Sequence, residues 1–318
     1  MSTMRAAVFC GDGRVELQEV ARPVPARDEV CVRLEGCGVC ASNLPVWSGK
    51  PWFDYPLVPG APGHEGWGEV VAIGDLVDDV RVGERVALLS TRAYAEYDVA
   101  KPAAVAHIPA ALVGRPVPGE PLGCAMNVFR RCRIRSGETV AMVGTGFIGA
   151  LVLQLASRAG ASVVALARRE YAREVALDCG ARAAFATDSD GVASARELTG
   201  GKGFDCVIEA AGEQVTLDLA SALTSEGGRL VIAGYHQDGP RQVDMQQWNW
   251  RGLDVINAHE RDPAVAVQGL RDAMAAVVEG RLDPWPLLTH TYPLHALGTA
   301  FEAMRERPRG FLKAMVAA

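Results

Sequence analysis

The sequence predicts an α/β protein of two domains: a barrel-like domain of short antiparallel strands and a doubly wound parallel sheet. Three observations lead there. Up to about residue 120, short alternating runs are separated by Gly, Pro and Asp clusters. From about 122 to 284, strand-like runs alternate with helix-compatible stretches. Inside that second region, Val143-Gly144-Thr145-Gly146-Phe147-Ile148-Gly149 stands between an apolar run and a helix-compatible one.

The first region reads as strands at 5–9, 29–34, 68–73 and 84–88, the pattern of a small antiparallel barrel. In the second, strands are expected near 139–143, 162–166, 182–186, 205–209, 229–233 and 253–256. Six strands with intervening helices make a doubly wound (Rossmann) sheet. The tail offers strand-like runs at 288–292 and 311–316 around a short helix at 296–306, and is expected to rejoin the first domain. The expected division is therefore 1–121 plus 285–318 against 122–284.

The glycine run opens the second domain in the order strand, tight turn, helix. Gly144 permits the turn, Gly146 lets the backbone approach a pyrophosphate, and Gly149 lets helix pack on strand. The backbone at Phe147 and Ile148 then starts a helix whose N-terminus favours phosphate. A glycine-rich turn in an unrelated α/β protein is the alternative. Ala211 and the pair Gly234-Tyr235 follow the fourth and fifth strands, where a dinucleotide should pass. The strand ending at Leu166 closes on Ala167-Arg168-Arg169 rather than on the acid that holds the ribose of NAD. A small residue followed by two guanidinium groups suits a 2′-phosphate, so NADP(H) is favoured over NAD(H). Otherwise Arg168 and Arg169 begin an exposed helix and face solvent.

Composition narrows the function classes. Of 318 residues 49% are hydrophobic and 22% charged, enough for sizeable cores. A net charge of −6 argues against nucleic acid or an anionic membrane as partner. No apolar h-region follows Met1-Ser2-Thr3 and no run reaches membrane-spanning length, so a cytoplasmic protein is expected. The eight cysteines are scattered and read as reduced thiols.

Three clusters carry metal-ligand chemistry: Gly38-Val39-Cys40-Ala41-Ser42-Asn43, Pro62-Gly63-His64-Glu65-Gly66-Trp67-Gly68 and Glu120-Pro121-Leu122-Gly123-Cys124. A thiolate, an imidazole and a carboxylate make a three-ligand zinc set with an open fourth position, which suits removal of hydride from an alcohol. From the residues alone this stays open: Cys37 and Cys40 also form a CxxC pair, while Cys31, Cys179 and Cys206 read as small core hydrophobes.

In their order along the chain, Gly-Val-Cys-x-Ser, Gly-His-Glu-x-x-Gly, Glu-Pro-Leu and GxGxxG resemble the zinc-dependent medium-chain alcohol and polyol dehydrogenases, with a GroES-like β-barrel as catalytic domain. The resemblance implies Cys40 and His64 as the first two catalytic-zinc ligands and Glu65 as the neighbouring acid that binds or approaches the metal. It implies Glu120 as the further ligand, with Cys124 as competitor, and Ser42 as the hydroxyl that bonds the substrate alcohol. Lys313 resembles a basic residue that reaches the cofactor pyrophosphate. The chain departs from the family in three ways. The run after Ser90 leaves no room for a four-cysteine lobe, so one catalytic and no structural zinc is expected. Asn43 stands where many relatives have an acid behind the metal, and Pro45 stands near the place of a relay histidine.

The reading implied is hydride transfer between a secondary alcohol, polyol or sugar-like, and NADP. The partners are a small-molecule alcohol or ketone, with no nucleic acid and no membrane, in a homodimer or homotetramer. A zinc-free quinone or enone reductase and a non-catalytic NADPH-binding protein are the alternatives. Trp47, Trp52, Phe53 and Tyr55 either wall the substrate pocket or fill a loop core. Trp248 and Trp250 read as packing or interface residues, His259 as a candidate contact for substrate or cofactor, and His107, His290 and His295 as structural.

Overall fold

The computed structural model describes residues 2–318. The chain begins with β1 (Thr3–Gly11), β2 (Arg14–Ala21), β3 (Val30–Val39), α1 (Leu44–Trp47), β4 (Gly66–Ile73), β5 (Arg85–Leu88), β6 (Tyr97–Ala100) and β7 (Val105–His107). Helix α2 (Gly119–Cys132) leads into β8 (Thr139–Val143), α3 (Phe147–Arg158), β9 (Ser162–Leu166), α4 (Glu170–Asp178), β10 (Ala183–Phe185) and α5 (Ser189–Glu197). Next come β11 (Phe204–Glu209), α6 (Gln214–Leu223), β12 (Thr224–Ile232), α7 (Met245–Arg251) and β13 (Asp254–Asn257). Helix α8 (Pro263–Val278), β14 (His290–Pro293), α9 (Leu297–Glu306) and β15 (Ala314–Ala317) complete the order.

Two compact units result. The first holds Met1–Gly123, Asp262–Val278 and Pro284–Ala318, the second Cys124–Arg261 and Glu279–Asp283. This differs from the expected division in one element, because α8 packs with the first unit. Leu270 of α8 is fully buried there. Gly119 makes room for it, since a Cβ at that position would lie 2.5 Å from Leu270 Cδ1 and 2.6 Å from the Ala87 methyl.

The first unit is built on a sheet of order β14-β15-β3-β4-β5-β7, with β6 also paired to β3. Strands β1 and β2 form a separate antiparallel hairpin. The tail joins this sheet, for β15 runs antiparallel to β3 with Met315 opposite Gly38 and Val316 opposite Cys37. Burial of branched and aromatic side chains drives the packing. Phe9, Tyr94, Phe301 and Trp47 meet with ring centroids 5.4–6.2 Å apart. Trp47 is thus a core residue stacked on Phe301, whereas Trp52 is 61% exposed.

The second unit is a parallel sheet of order β10-β9-β8-β11-β12-β13, and all six strands fall where the alternation placed them. Strand order reverses between β8 and β11, the switch point at which such sheets take ligands beyond their strand ends. Gly144 has φ +95°, a conformation that costs other residues dearly. A Cβ on Gly149 would lie 2.2 Å from the Gly144 carbonyl oxygen, so α3 sits closer to β8 than any side chain permits. At Gly146 a Cβ would meet nothing within 4 Å, which leaves the turn open to a ligand. Among the described residues, no helix is long and apolar enough to cross a membrane.

Candidate active site

Strand β3 ends at Val39, and Cys40 follows in extended conformation before a short 3-10 turn, Ala41–Asn43. His64 and Glu65 lie immediately before β4, which pairs with β3 through Cys37 and Gly66. Pairing of the two strands therefore brings the first two motifs together. One ligand atom from each of Cys40, His64 and Glu65 lies within 4.8 Å of the others. Ser42 Oγ donates to Cys40 Sγ at 3.2 Å. His64 Nδ1 donates to the Pro62 carbonyl at 2.9 Å, which leaves Nε2 as the nitrogen that could take a cation. Asn43 Nδ2 donates to the same carbonyl at 3.2 Å and to the Tyr94 hydroxyl at 3.2 Å, fixing the oxygen that orients the imidazole.

Glu65 is almost wholly buried, and Lys313 Nζ meets both its oxygens, at 2.7 and 2.6 Å. Gly38 provides the space for that carboxylate: a Cβ there would lie 1.8 Å from Glu65 Oε2. Burial opposes charge on Lys313, yet Glu65, Cys40 and Glu120 push its pKa up. Burial likewise opposes charge on His64, but the Cys40 sulfur, Glu120 and Glu65 push it from 6.5 up to about 10. A sulfur, an imidazole and carboxylates that hold a proton this firmly form a donor set suited to a cation, and zinc takes such ligands. Glu120, in the first turn of α2, acts on His64 electrostatically but lies outside the 4.8 Å set.

In the second unit the expected dinucleotide positions lie at the carboxyl ends of the strands. Gly144, Gly146, Phe147, Ile148 and Gly149 form the turn from β8 into α3, with Gly146 as N-cap. Ala167 is buried beyond β9. Arg173 of α4 holds that strand end by donating to the Ala167 and Arg168 carbonyls at 3.0 and 2.9 Å. Arg169 caps α4, and Arg168 pairs with Glu213 at 2.9 Å, both side chains being largely exposed. Ala211 and Gly234 lie beyond β11 and β12, and Tyr235 is 52% exposed with its ring edge against His259.

Comparison with known proteins gives the same division of labour. Residues 26–125 match the alcohol dehydrogenase GroES-like domain family, and residues 148–275 match the zinc-binding dehydrogenase family. An alcohol dehydrogenase of Geobacillus stearothermophilus is 31% identical over 69% of this chain and 74% of its own length. The chain belongs to the zinc-type medium-chain alcohol and polyol dehydrogenase family. A 2-dehydro-3-deoxy-L-galactonate 5-dehydrogenase of Pseudoalteromonas atlantica is 27% identical over 98% of each chain. A Sus scrofa quinone oxidoreductase is 28% identical over 95% of this chain and 93% of its own. A Sinorhizobium meliloti 1021 structure bound to NADP, provisionally described as a zinc-binding dehydrogenase, is 26% identical with TM-score 0.84, covering 100% of both chains.

Family membership makes this dehydrogenase an NAD(P)-dependent enzyme of the alcohol and polyol class, built from a GroES-like domain and a Rossmann domain. Its side chains correct one expectation. Lys313 is buried on Glu65 in an ion pair, so its amino group is taken up by that carboxylate rather than offered to a pyrophosphate. His259 gives its Nε2 to the Gly234 carbonyl at 3.1 Å and so supports the loop after β12. Cys37 is a core residue that donates to the Gly38 carbonyl, and Cys124 is exposed. Sequence reading passed over Arg173, His236 and above all Glu209. A glutamate closing an apolar run was the available signal, because a charge buried at a strand end requires partners.

Proposed function

We propose that this dehydrogenase transfers hydride between a secondary alcohol, polyol or sugar-like, and NADP(H), using one zinc bound by Cys40, His64 and Glu120. The observation that carries this reading is the convergence of Cys40, His64 and Glu65 within 4.8 Å behind β3 and β4. Glu65 is committed to Lys313, which favours Glu120 as the acid beside Cys40 and His64. When bound there, zinc supplies a Lewis acid that lowers an alcohol's pKa, and the dinucleotide takes up the hydride. Ser42, on the sulfur ligand's doorstep, accepts the alcohol's hydrogen bond and passes its proton onward to water. Asn43, through Pro62, keeps the His64 ring oriented.

Buried, small Ala167 and the guanidinium groups of Arg168 and Arg169 support NADP(H) over NAD(H). The galactonate-type relative supports the sugar-like substrate. Edge strand β13 and the 84% exposed Trp250 support association of two or four copies. The test is metal analysis with a turnover screen over polyols, sugar acids and secondary alcohols. About one zinc per chain is expected, with turnover lost on chelation and in Cys40→Ala. The quinone oxidoreductase relatives favour a second reading, zinc-free reduction of an activated double bond. Metal-free protein that reduces a quinone and oxidises no alcohol would establish that reading instead.

A further inference from the structure

Glu209 ends β11 with no exposed surface. Its Oε1 accepts from the Ala211 and Gly212 N–H groups, both at 2.8 Å, and from the Thr216 hydroxyl at 2.7 Å. Its Oε2 faces His236 Nε2 at 3.0 Å. On the other side of that ring, Arg241 Nε lies 2.8 Å from Nδ1. Arg241 also donates to the Gly212 carbonyl at 2.9 Å, to the Gly239 carbonyl at 3.4 Å and to Asp238. The loops after β11 and β12 are packed too tightly for side chains between them: a Cβ on Gly234 would lie 2.3 Å from Gly212 N and 2.4 Å from Glu209 Oε2.

We propose that Glu209, His236 and Arg241 form a proton-ordered clamp that positions these two loops for the dinucleotide, with His236 locked in a single tautomer. A guanidinium nitrogen can only donate, so Arg241 requires a bare lone pair on Nδ1. The imidazole is then neutral, with its one hydrogen on Nε2. That hydrogen goes to Glu209 Oε2, whose companion Oε1 already accepts from two backbone N–H groups and faces the Thr216 hydroxyl. Each direction in the chain is dictated by the next, from a cation that cannot lose its proton to a carboxylate that only accepts. His236 and Glu209 are positioning residues here, acting through the loops that carry Ala211, Gly234 and Tyr235. The inference rests on the proposal that those loops hold the cofactor.

The clamp makes a prediction that bulk packing does not. In Glu209→Gln the amide oxygen must keep the two backbone N–H donors of Ala211 and Gly212, which turns the NH2 group toward His236 Nε2–H, donor against donor. His236 cannot escape by moving its hydrogen to Nδ1, because Arg241 donates there. Removing that donor with Arg241→Leu restores the escape. NADPH binding by fluorescence titration should therefore weaken about tenfold in Glu209→Gln, the size of one mismatched buried polar contact. It should recover in Glu209→Gln/Arg241→Leu to tighter than the single Glu209→Gln variant. In the wild type, nitrogen-15 NMR of His236 should show hydrogen on Nε2 and none on Nδ1, a reading that does not depend on any variant folding. A double variant no tighter than Glu209→Gln, or a wild-type ring protonated on Nδ1, overturns the clamp. Wild-type protein that binds neither NADPH nor NADH overturns the cofactor reading itself, and the clamp's role with it.

Discussion

One methyl group added at Gly38 tests the packing behind the ligand cluster. An alanine Cβ would sit 1.8 Å from Glu65 Oε2, 2.9 Å from its Cδ and 3.1 Å from its own Cβ. A resting carbon–oxygen contact is about 3.3 Å, so the carboxylate must retreat by about 1.5 Å. The backbone of β3 gives little relief, because Gly38 is in register with Met315 of β15. Retreat of the carboxylate breaks at least one of the contacts with Lys313 at 2.6 and 2.7 Å. Overpacking costs about 1–3 kcal/mol, and breaking a buried ion pair outright about 3–5 kcal/mol. With partial relaxation of both, Gly38→Ala should destabilise the first unit by about 2–4 kcal/mol. Differential scanning calorimetry should read this as a fall in Tm of about 4–16 °C. Metal content should fall with it. Gly298→Ala is the control: at its site in α9 a Cβ meets nothing within 4 Å, and the expected effect is a gain of up to about 1 kcal/mol. Gly38→Ala protein with wild-type Tm and wild-type metal content would refute the tight Gly38–Glu65–Lys313 packing.

Arg168→Ala/Arg169→Ala should weaken NADPH far more than NADH, as measured by equilibrium binding; equal losses would argue against a 2′-phosphate site. Glu213→Gln should do the reverse, since Glu213 holds Arg168 at 2.9 Å in an exposed pair. A modest gain for NADPH of about two- to fivefold, with NADH unchanged, matches the small worth of such pairs. Burial alone would raise the Glu138 carboxyl, but the Arg229 guanidinium at 2.5 Å and the Arg135 N–H outweigh it and hold its pKa below the usual 4.5. Because the folded value lies below the unfolded one, this stabilisation is full above pH 4.5 and is lost as pH falls through the folded value. Glu138→Gln should therefore be less stable than wild type at pH 7, and the gap in urea unfolding should close as the medium is acidified below pH 4.5.

Local chemistry made much of this fold readable. The six parallel strands were visible because each is a short apolar run bounded by turn residues. Gly144 and Gly149 announced themselves because no other residue fits a φ of +95° or a 2.2 Å approach. Strand β2 escaped notice because neither of its faces is fully buried, so its alternation carries little hydrophobic signal. Cys40, His64 and Glu65 were legible as motifs, but only the pairing of β3 with β4 makes them neighbours. Lys313 was misjudged because its partner lies 248 residues away, a distance over which local pattern carries no information. The clamp around Glu209 was hidden for a related reason: Arg241 and His236 look like loop polar residues until the loops close.

That separation in sequence also sets the timing of assembly. Glu65 belongs to an early strand connection and Lys313 to the run just before β15, so ribosomal synthesis exposes the acid long before its counter-ion exists. Until β15 docks beside β3, the carboxylate must either stay hydrated or find another cation. The charge balance beside Cys40 and His64 is thus completed only when the tail docks, since a chain whose tail is not yet in place leaves Glu65 without its lysine.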